Sequence, residues 1–327
     1  MKRISIICPF FNEQETVAEF FKHLLNVVAN IPYQTEIICI NDGSTDNTLA
    51  LLFFQQQNCG IATVQIKILD LSRNFGKEAA LTAGIDYASG DAIIPIDTDL
   101  QDPPELIPEM LGKWQQGYDI ILATRTDRSS DSWLKRNTAC WFYKVHNQIS
   151  NPGLPENTGD FRLLDRRVVD ALKQLPENQR IMKGLFNWVG FKTTQISYVR
   201  IARIAGKTKF SSWRLWTLAL DGITSFSTVP LRVWTYLGLF ISMSAFFYGN
   251  FIIFRTLLLG IDSPGYASLI VTILFLGGLQ LIGIGVLGEY IGRIYMEAKH
   301  RPIYLIREKY EKQMKKIKYE ASAPLLR

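Results

Sequence analysis

The stretch AIIPIDTDLQDPPE, residues 92–105, indicates both the fold and the position of a polar site within it. Its apolar first half predicts a short buried strand, Ala92–Asp97. Two carboxylates one residue apart, Asp97 and Asp99, end this strand. The prolines at positions 103 and 104 favour a turn followed by the start of a helix. A strand, an acidic turn and a helix in succession predict one unit of an α/β protein.

The two carboxylates have two interpretations. Acidic turns are common, and this one could be an ordinary turn. However, carboxylates this close repel each other unless a cation lies between them. Oxygen ligands suit the hard cations Mg²⁺ and Mn²⁺, which also bridge diphosphates. We therefore predict a metal site formed by Asp97, Asp99 and the side-chain oxygen of Gln101.

Strand-like and helical patterns alternate on both sides of this segment. The predicted strands are Ile4–Cys8, Glu36–Asn41, Val64–Leu69, Ala92–Asp97 and Tyr118–Ala123. An apolar stripe of helical period follows the first strand, and Asn12 with Glu15 predicts an N-cap and capping box for it. The alternation predicts a mostly parallel, Rossmann-like sheet, in which ligands bind beyond the carboxyl ends of the strands.

Polar turns follow the first two strands. They are PFFNE at residues 9–13 and NDGSTD at residues 41–46. Gly43 permits a tight turn, and Ser44 can cap the next helix. Either turn alone is compatible with an ordinary strand-to-helix connection. Because no GxGxxG motif follows the first strand, a dinucleotide-dependent oxidoreductase is disfavoured.

The composition restricts the partners and the compartment. The formal net charge is +6, and the basic excess borders apolar stretches in the second half of the chain, which suits an anionic membrane surface or a phosphorylated substrate. A nucleic-acid partner is disfavoured, since no basic run is interleaved with aromatic residues in a recognisable module. The four cysteines have no close-paired spacing and predict reduced, packed thiols. A zinc site is disfavoured because no Cys/His cluster occurs.

Two apolar stretches, at about residues 233–254 and 267–287, approach the roughly 20 residues that a bilayer core requires. Two buried helices of a soluble core are the alternative. Lysines and arginines are frequent before the first apolar stretch and after the second. Between the two stretches, Arg255 is the only basic residue. The positive-inside rule then places both termini in the cytoplasm. The apolar run after Met1 is too short for a secretory signal, which predicts the same side for the N-terminal domain.

These patterns predict four parts. Residues 1–205 form a cytoplasmic catalytic domain, and residues 206–231, which include Trp213 and Trp216, form amphipathic helices at the membrane interface. Residues 232–290 form a transmembrane hairpin, and residues 291–327 form a basic cytoplasmic tail. The predicted location is the plasma (inner) membrane, with two passes. Glycines in the second span, such as Gly288 and Gly292, favour close helix packing within the hairpin or between subunits of a homo-oligomer.

The motifs PFFNE, NDGSTDNT, LSRNFGKEAAL, DTDLQDPPE, GDFRLLDRR and GKTKF occur in this order. Together they resemble family 2 glycosyltransferases of the GT-A fold. Within that family the chain is similar to the dolichyl-phosphate mannose synthase branch, and especially to bacterial polyprenyl-phosphate glycosyltransferases with two C-terminal spans. The resemblance covers nearly the whole chain. Its motifs are specific to the branch but not to the sugar.

The resemblance implies roles for individual residues on the donor side. It assigns Pro9, Phe11, Glu13 and Asp42 to the nucleotide, and Asp97, Asp99 and Gln101 to the metal and diphosphate. Arg203 and Lys209 match basic residues near the diphosphate. Lys77 has two open interpretations, a nucleotide-side loop or surface charge. The family usually has Asp where this chain has Asn41, which leaves the role of that position open.

The resemblance also implies an acceptor site and catalytic residues. Arg125 and Arg136 match residues that bind the acceptor phosphate, and Arg128 lies between them; a solvated basic face is the alternative. Asp160 lies where related enzymes have a catalytic acid, although a structural ion pair with Arg162 would also explain it. The predicted catalytic set is Asp99, Asp160, Arg125 and Arg136.

The expected activity is inverting transfer of a sugar from a UDP-sugar to polyisoprenyl phosphate, with Mg²⁺ or Mn²⁺ as cofactor. Glucose is the preferred sugar because the resemblance is strongest to glucosyl-transferring members. N-acetylglucosamine, mannose and an aminopentose stay open. A processive polysaccharide synthase is disfavoured because the chain lacks a QxxRW motif and further spans. A non-catalytic, membrane-tethered nucleotide-sugar sensor is disfavoured because the motif set is intact.

Overall fold

The computed structural model describes residues 2–125, residues 158–198 apart from 176, 178, 179 and 181, and residues 229–259 and 265–311. The strands are β1 (Arg3–Phe10), β2 (Gln34–Asn41), β3 (Val64–Leu71), β4 (Ala92–Pro95), β5 (Ile120–Arg125), β6 (Thr158–Asp165), β7 (Thr193–Tyr198) and β8 (Ile306–Glu311). The helices are α1 (Val17–Val28), α2 (Thr48–Asn58), α3 (Lys77–Tyr87), α4 (Ile107–Gln115), α5 (Arg166–Lys173), α6 (Met182–Trp188), α7 (Val229–Leu259) and α8 (Tyr266–Ala298). A 3₁₀ turn, Pro104–Leu106, precedes α4.

All eight strands form one sheet, in the order β7-β5-β6-β4-β1-β2-β3-β8. The central strands β4, β1, β2 and β3 are mutually parallel, and β5 is parallel to β7. β6 and β8 run antiparallel to their neighbours. The predicted α/β architecture with a mostly parallel sheet is therefore confirmed.

The five predicted strands are all present, with shifted ends. β1 and β2 extend further than predicted, whereas β4 ends at Pro95, two residues before the predicted end. Proline has no N–H to continue the ladder. Even so, Ile96 N still donates to Ile7 O at 3.0 Å, so the chain stays beside β1 as it enters the acidic turn.

Two predicted helix caps are wrong. α1 begins at Val17 with Thr16 as its N-cap residue, and α2 begins at Thr48 after Asn47. Asn12 and Ser44, which were expected to cap these helices, bind other backbone groups in the turns after β1 and β2. The two side chains do accept hydrogen bonds from backbone N–H groups, as capping residues do. The N–H groups belong to the opposite turn, however, because the two turns lie side by side.

Helices cover both faces of the central strands. One apolar cluster includes α1 and α4, and the other includes α3, α5 and α6. Ile6 of β1 belongs to the first cluster and Ile7 to the second, both with no exposed surface. This explains why β1 is apolar without alternation, as expected for a parallel strand buried on both sides.

Three of the four cysteines lie within the described residues. Cys8 and Cys39 are buried and Cys59 is half-buried, and all three are free thiols. Burial raises the pKa of Cys8 and of Cys39. The prediction of packed thiols holds for these three, and Cys140 lies outside the described residues.

The sheet reverses direction of growth at β1. The chain adds β2 and then β3 on one side of β1, and then crosses to place β4 on the other side. In open α/β sheets such a switch point leaves a crevice beyond the carboxyl ends of the two strands. The turns after β1 and β4 meet there, since Thr98 Oγ1 donates to Pro9 O at 3.2 Å.

The two long helices have apolar side chains on their surfaces. α7 has 31 residues and α8 has 33. In α8, Phe275, Leu281 and Ile294 are each more than 60% exposed, as are Phe240 and Phe254 in α7. By length and composition, one segment among the described residues could cross a membrane, Phe275–Ala298, while α7 contains the shorter apolar segment Tyr236–Tyr248. The prediction of two spans is therefore not confirmed at this level.

The chain beyond α8 returns to the sheet. β8 pairs antiparallel with β3, from Lys67 opposite Glu311 to Leu71 opposite Ile306. Gln56 Nε2 of α2 donates to the carbonyl oxygens of both Ile66 and Tyr310. The sequence predicted only a basic tail here, because a six-residue strand rich in charge has no apolar alternation to reveal it.

Candidate active site

The turns after β1 and β2 are tied together by Asn12. Its backbone N–H donates to Ser44 Oγ at 3.0 Å, and its side-chain oxygen accepts from Thr45 N at 2.8 Å. Asn12 has a φ of 54°, a left-handed conformation that asparagine tolerates better than most residues. The PFFNE and NDGST motifs are therefore one structural unit. Phe11, 37% exposed, presents its ring at the surface of this unit.

Asp42 anchors the turn after β2 to the loop before α3. Its carboxylate accepts from Phe75 N at 2.7 Å and from Gly76 N at 2.9 Å. Burial raises the pKa of Asp42, while these two backbone hydrogen bonds and Arg73 oppose the rise. The side chain is 3% exposed, so it organises the loop as well as lying where a nucleotide is expected.

Gly43 is required where it stands. Its φ is +65°, and a Cβ there would lie 2.4 Å from the carbonyl carbon of Arg73 and 2.5 Å from Asn74 N. Both the backbone conformation and the closeness of the loop before α3 exclude a side chain. The NDG motif thus encodes a close approach of two loops.

Position 41 has a structural explanation. Asn41 Nδ2 donates to Asp70 Oδ1 at 2.7 Å, and its oxygen accepts from Ser44 N at 3.3 Å. Asp70 is also contacted by Arg307 of β8, at 3.4 Å. An aspartate at position 41 would face the Asp70 carboxylate, whereas asparagine supplies the donor that Asp70 accepts.

The acidic turn after β4 has an unusual backbone. Leu100 has a φ of 57°, a conformation that costs a residue with a branched side chain about 1 kcal/mol. Its side chain is buried, and Asp99 Oδ1 accepts from Gln101 N at 3.2 Å. Below the turn, the Tyr198 hydroxyl donates to the buried Asp102 carboxylate. Packing and hydrogen bonds therefore hold Asp99 in a strained turn, which is common at functional sites.

Lys77 joins two acidic residues, one in the turn after β4 and one in β6. Its Nζ lies 2.7 Å and 2.8 Å from the two oxygens of Asp97 and 2.5 Å from Asp160 Oδ2. Burial lowers the pKa of Lys77, but the attraction of the two carboxylates outweighs it, and the net shift is upward. Lys77 therefore stays charged at any physiological pH. Of its two open interpretations, the contacts favour a residue inside the site over surface charge.

Asp160 and Arg162 have different partners in β6. Asp160 is 7% exposed and accepts from Lys77. Arg162 is 2% exposed, donates to Gly159 O at 2.6 Å, and lies over the Phe186 ring at 4.3 Å. Burial lowers the pKa of Arg162 to about 10, opposed by the charges of Asp160 and Glu78. Asp160 thus forms an ion pair with Lys77 and also lies near enough to Arg162 for its charge to act on the guanidinium.

The donor set suits a divalent cation that shares its ligands with a substrate. No group of three or more His, Cys, Asp or Glu side chains placed for metal binding occurs among the described residues. Asp97 and Asp99 alone offer two carboxylates, and Gln101 is buried beside them. Mg²⁺ bound to substrate phosphates commonly uses only one or two protein carboxylates. The residues present therefore fit a metal that is completed by a diphosphate.

Several predicted site residues lie partly or wholly outside the described residues. Pro9, Phe11, Glu13, Asp42, Lys77, Asp97, Asp99, Gln101 and Asp160 are described, and all lie at the carboxyl edge of the sheet or in its turns. Arg125 is the last residue of β5, with its backbone paired to Tyr198. Arg128, Arg136, Arg203 and Lys209 lie outside the described residues, and the functional roles of all these residues stay predictions.

Sequence reasoning missed two features of the site. Asp70, one residue beyond the predicted strand Val64–Leu69, was given no role, and Lys77 was not connected with Asp97 or Asp160. A charged residue that ends an apolar strand is a usable signal for Asp70. No signal in the sequence brings together residues 77, 97 and 160, because they lie on three separate elements.

A family model described as glycosyl transferase family 2 matches residues 5–173, more than half of the chain. The chain belongs to glycosyltransferase family 2. It is 54% identical over 310 residues to the bactoprenol glucosyl transferase of Shigella phage SfV, covering 95% of this chain and all of that protein. It is 55% identical over 303 residues to a Synechocystis protein named as an uncharacterized glycosyltransferase, covering 93% of this chain and 94% of that protein.

A prophage bactoprenol glucosyl transferase homolog of Escherichia coli is 54% identical over 305 residues, covering 93% of this chain and 98% of that protein. The match to family 2 includes the turns after β1, β2 and β4 and the Lys77–Asp160 contact, since all lie within residues 5–173. The relatives also align with the region of the long helices, because they cover more than nine tenths of the chain. The family assignment therefore agrees with the resemblance that the motifs carry.

Replacing Gly43 with alanine is expected to disrupt the site more than the sheet. The new Cβ would clash with the backbone at residues 73 and 74, so the two loops must separate at a cost on the order of 2–3 kcal/mol. Nucleotide binding by calorimetry should fall by at least about tenfold, and the melting temperature should drop. Gly60→Ala is the matched control, since nothing lies within 4 Å of its Cβ position. Equal binding by both variants would contradict the loop-contact explanation.

Proposed function

We propose that this protein transfers glucose from UDP-glucose to the phosphate of a polyisoprenyl lipid, producing a lipid-linked glucosyl phosphate and UDP. The observation that carries the proposal is 54% identity, over nearly the whole of both chains, to a protein named bactoprenol glucosyl transferase. The site supports the same reaction, because it combines a nucleotide-side turn, a pair of carboxylates and a buried acid at one edge of the sheet.

The donor would lie across the switch point between β1 and β4. Phe11 and the Asp42 turn are proposed to hold the nucleoside, and the acidic turn after β4 is proposed to hold the diphosphate. Asp97, Asp99 and Gln101 would hold Mg²⁺ or Mn²⁺, which neutralises charge on the departing diphosphate when bound. Arg203 and Lys209 are proposed to act on the same phosphates.

The acceptor phosphate needs little help from a base. A phosphate monoester has a second pKa near 6, so at neutral pH it is largely dianionic and already nucleophilic. Its oxygen attacks the anomeric carbon as the bond from that carbon to the diphosphate breaks, which inverts the configuration. Arg125, Arg128 and Arg136 are proposed to hold the acceptor, since guanidinium groups bind phosphate oxygens in pairs.

Asp160 is proposed to orient the substrates. Lys77 fixes its carboxylate at 2.5 Å, and its surroundings are nearly closed to solvent. A carboxylate held by an ammonium group is a poor base but a well-placed hydrogen-bond acceptor for a sugar hydroxyl. The alternative is that Asp160 acts as a general base. This role is less necessary, because the acceptor phosphate is already largely deprotonated at neutral pH.

We further propose that both long helices cross the membrane and that the catalytic domain faces the cytoplasm. β8 follows α7 and α8 in the chain, yet it pairs with β3, which precedes them. Strands in one sheet lie on one side of a bilayer, so the chain between them crosses an even number of times. If α8 spans, a further crossing is needed, and among the described residues α7 is the other long apolar helix that could supply it. This favours two spans, with both ends of the chain on the side rich in Lys and Arg.

The transfer assay tests the reaction and names the sugar. Full-length protein in detergent receives undecaprenyl phosphate, Mn²⁺ or Mg²⁺, and each radiolabelled nucleotide-sugar in turn. We expect label in the organic phase with UDP-glucose, and a loss of about 100-fold or more in Asp99→Ala, because a charge next to the diphosphate is removed. Asp170→Ala, an exposed change on α5, should keep wild-type activity. Nucleotide binding without transfer from any donor would favour the sensor, and polymer formation would favour the processive synthase.

Asp160→Asn distinguishes orientation from base catalysis. The amide keeps the shape and one acceptor oxygen but loses the charge that binds Lys77. We expect kcat to fall about 10- to 100-fold with residual activity well above the reaction without enzyme. A pH-rate profile of the same shape as wild type should accompany this fall. A rate equal to that without enzyme would instead assign Asp160 the role of a required base.

Cysteine labelling tests the two-span arrangement. In a background with Cys59→Ser and Cys140→Ser, a single cysteine is introduced either at Ser263, between the two helices, or at Arg301, between α8 and β8. A membrane-impermeant maleimide applied to spheroplasts should label Ser263→Cys and should label Arg301→Cys only after lysis. If Ser263→Cys is also labelled only after lysis, α7 and α8 do not cross the membrane as proposed.

A further inference from the structure

Lys77 lies between a carboxylate proposed for the metal and one proposed for the substrates. It is the first residue of α3, while Asp97 follows β4 and Asp160 belongs to β6. The ammonium is within 2.8 Å of both Asp97 oxygens and 2.5 Å from Asp160. A surface lysine would extend into solvent, but this one bridges the turn after β4 and strand β6.

The contact engages the oxygens of Asp97 that a metal would use. An ammonium within 2.8 Å of both oxygens repels an incoming cation and occupies space beside each oxygen, so it competes with a metal for Asp97. The Lys77 side chain is 43% exposed and that of Asp97 is 28% exposed, so a hydrated ion can reach the pair from solvent. Asp160 is 8% exposed at its side chain, which leaves Asp97 as the accessible end of the bridge.

We propose that Lys77 is a resident counter-cation of the donor site, which competes with the divalent cation for Asp97 and stays paired with Asp160 when the cation binds. The inference deepens the proposed function and rests on it. The single charge of the ammonium offsets half of the charge of two carboxylates that would otherwise repel each other across the site. A metal that enters with the diphosphate donor then replaces the ammonium at Asp97, while the ammonium stays on Asp160.

Removing the ammonium should then have two effects of opposite sign. A cation without this competitor binds Asp97 more tightly. Transfer becomes slower, because Asp160 loses the ammonium that helps to fix its position. A lysine that only supports the fold would weaken both metal binding and activity together. Opposite shifts of the two quantities are therefore the signature of competition.

The test measures Mn²⁺ binding directly, by electron paramagnetic resonance of free Mn²⁺, on the full-length protein in detergent without any substrate. Lys77→Met is expected to bind Mn²⁺ about 5- to 10-fold more tightly than wild type. Lys77→Arg keeps the charge and should bind within about twofold of wild type. Lys77→Gln is a second neutral variant in case Lys77→Met is unstable, and circular dichroism checks the fold of each.

Arg73→Met is the matched control for overall charge. Arg73 lies in the same loop region but contacts Asn74 O and the Phe75 ring, and neither contact involves Asp97. Its Mn²⁺ affinity should stay near that of wild type. If Arg73→Met raised the Mn²⁺ affinity as much as Lys77→Met, the proposal would be overturned. The loss of one positive charge near the site would then explain both increases without any contact to Asp97.

The other possible results of the Mn²⁺-binding and transfer measurements also support or overturn the proposal. Unchanged or weaker Mn²⁺ binding in both neutral Lys77 variants would overturn competition, as would the absence of Mn²⁺ binding in every variant at millimolar metal. Tighter binding together with a kcat reduced at saturating Mn²⁺ would support it. The wild-type transfer assay separately tests the proposed function. If the wild-type protein transfers no sugar but the Lys77→Met variant binds Mn²⁺ more tightly, the proposed function is rejected. The proposal that Lys77 competes with the metal for Asp97 is then retained.

Discussion

Burial of the central strands on both faces is the constraint on which the rest depends. β1, β2 and β4 are covered by helices on each side, so most of their side chains are apolar, and polar groups, apart from such residues as the buried Ser5 and Glu36, gather where the strands end. Since these strands are parallel, their carboxyl ends share one edge of the sheet. The turn after β1, the turn with Asp42 and the acidic turn with Asp97 therefore meet, although they are far apart in the chain.

The contacts among these turns make the site one connected structure. Asn12 binds the β2 turn, Asp42 binds the loop before α3, and Lys77 at the start of α3 binds the β4 turn and β6. Each link joins two elements, and the last two use charged groups. A shift of any one turn would therefore displace the turns bonded to it. Such coupling suits a site proposed to hold a nucleotide, a diphosphate and an acceptor together.

The sheet also relates the catalytic domain to the long helices. β8 comes after both of them and still completes the edge beside β3, with Arg307 reaching Asp70 and Asp70 reaching Asn41. The C-terminal segment is therefore part of the catalytic domain in structure, although it lies some hundred residues from β7 in sequence. Its short, charged strand carries no pattern that could have predicted this pairing.

The sequence by itself determined the class of fold, the five strands it predicted, the acidic turn and the family, because apolar runs, turn residues and motif order are local properties. It also indicated apolar helices, as hydropathy is a sum over neighbours. Only the tertiary structure decided that Asn12 serves the β2 turn instead of α1, that Asn41 serves Asp70, and that Lys77 joins Asp97 to Asp160. These are choices of partner between distant segments, and strand order and crossover geometry, not local spacing, fix which side chains come within hydrogen-bonding distance.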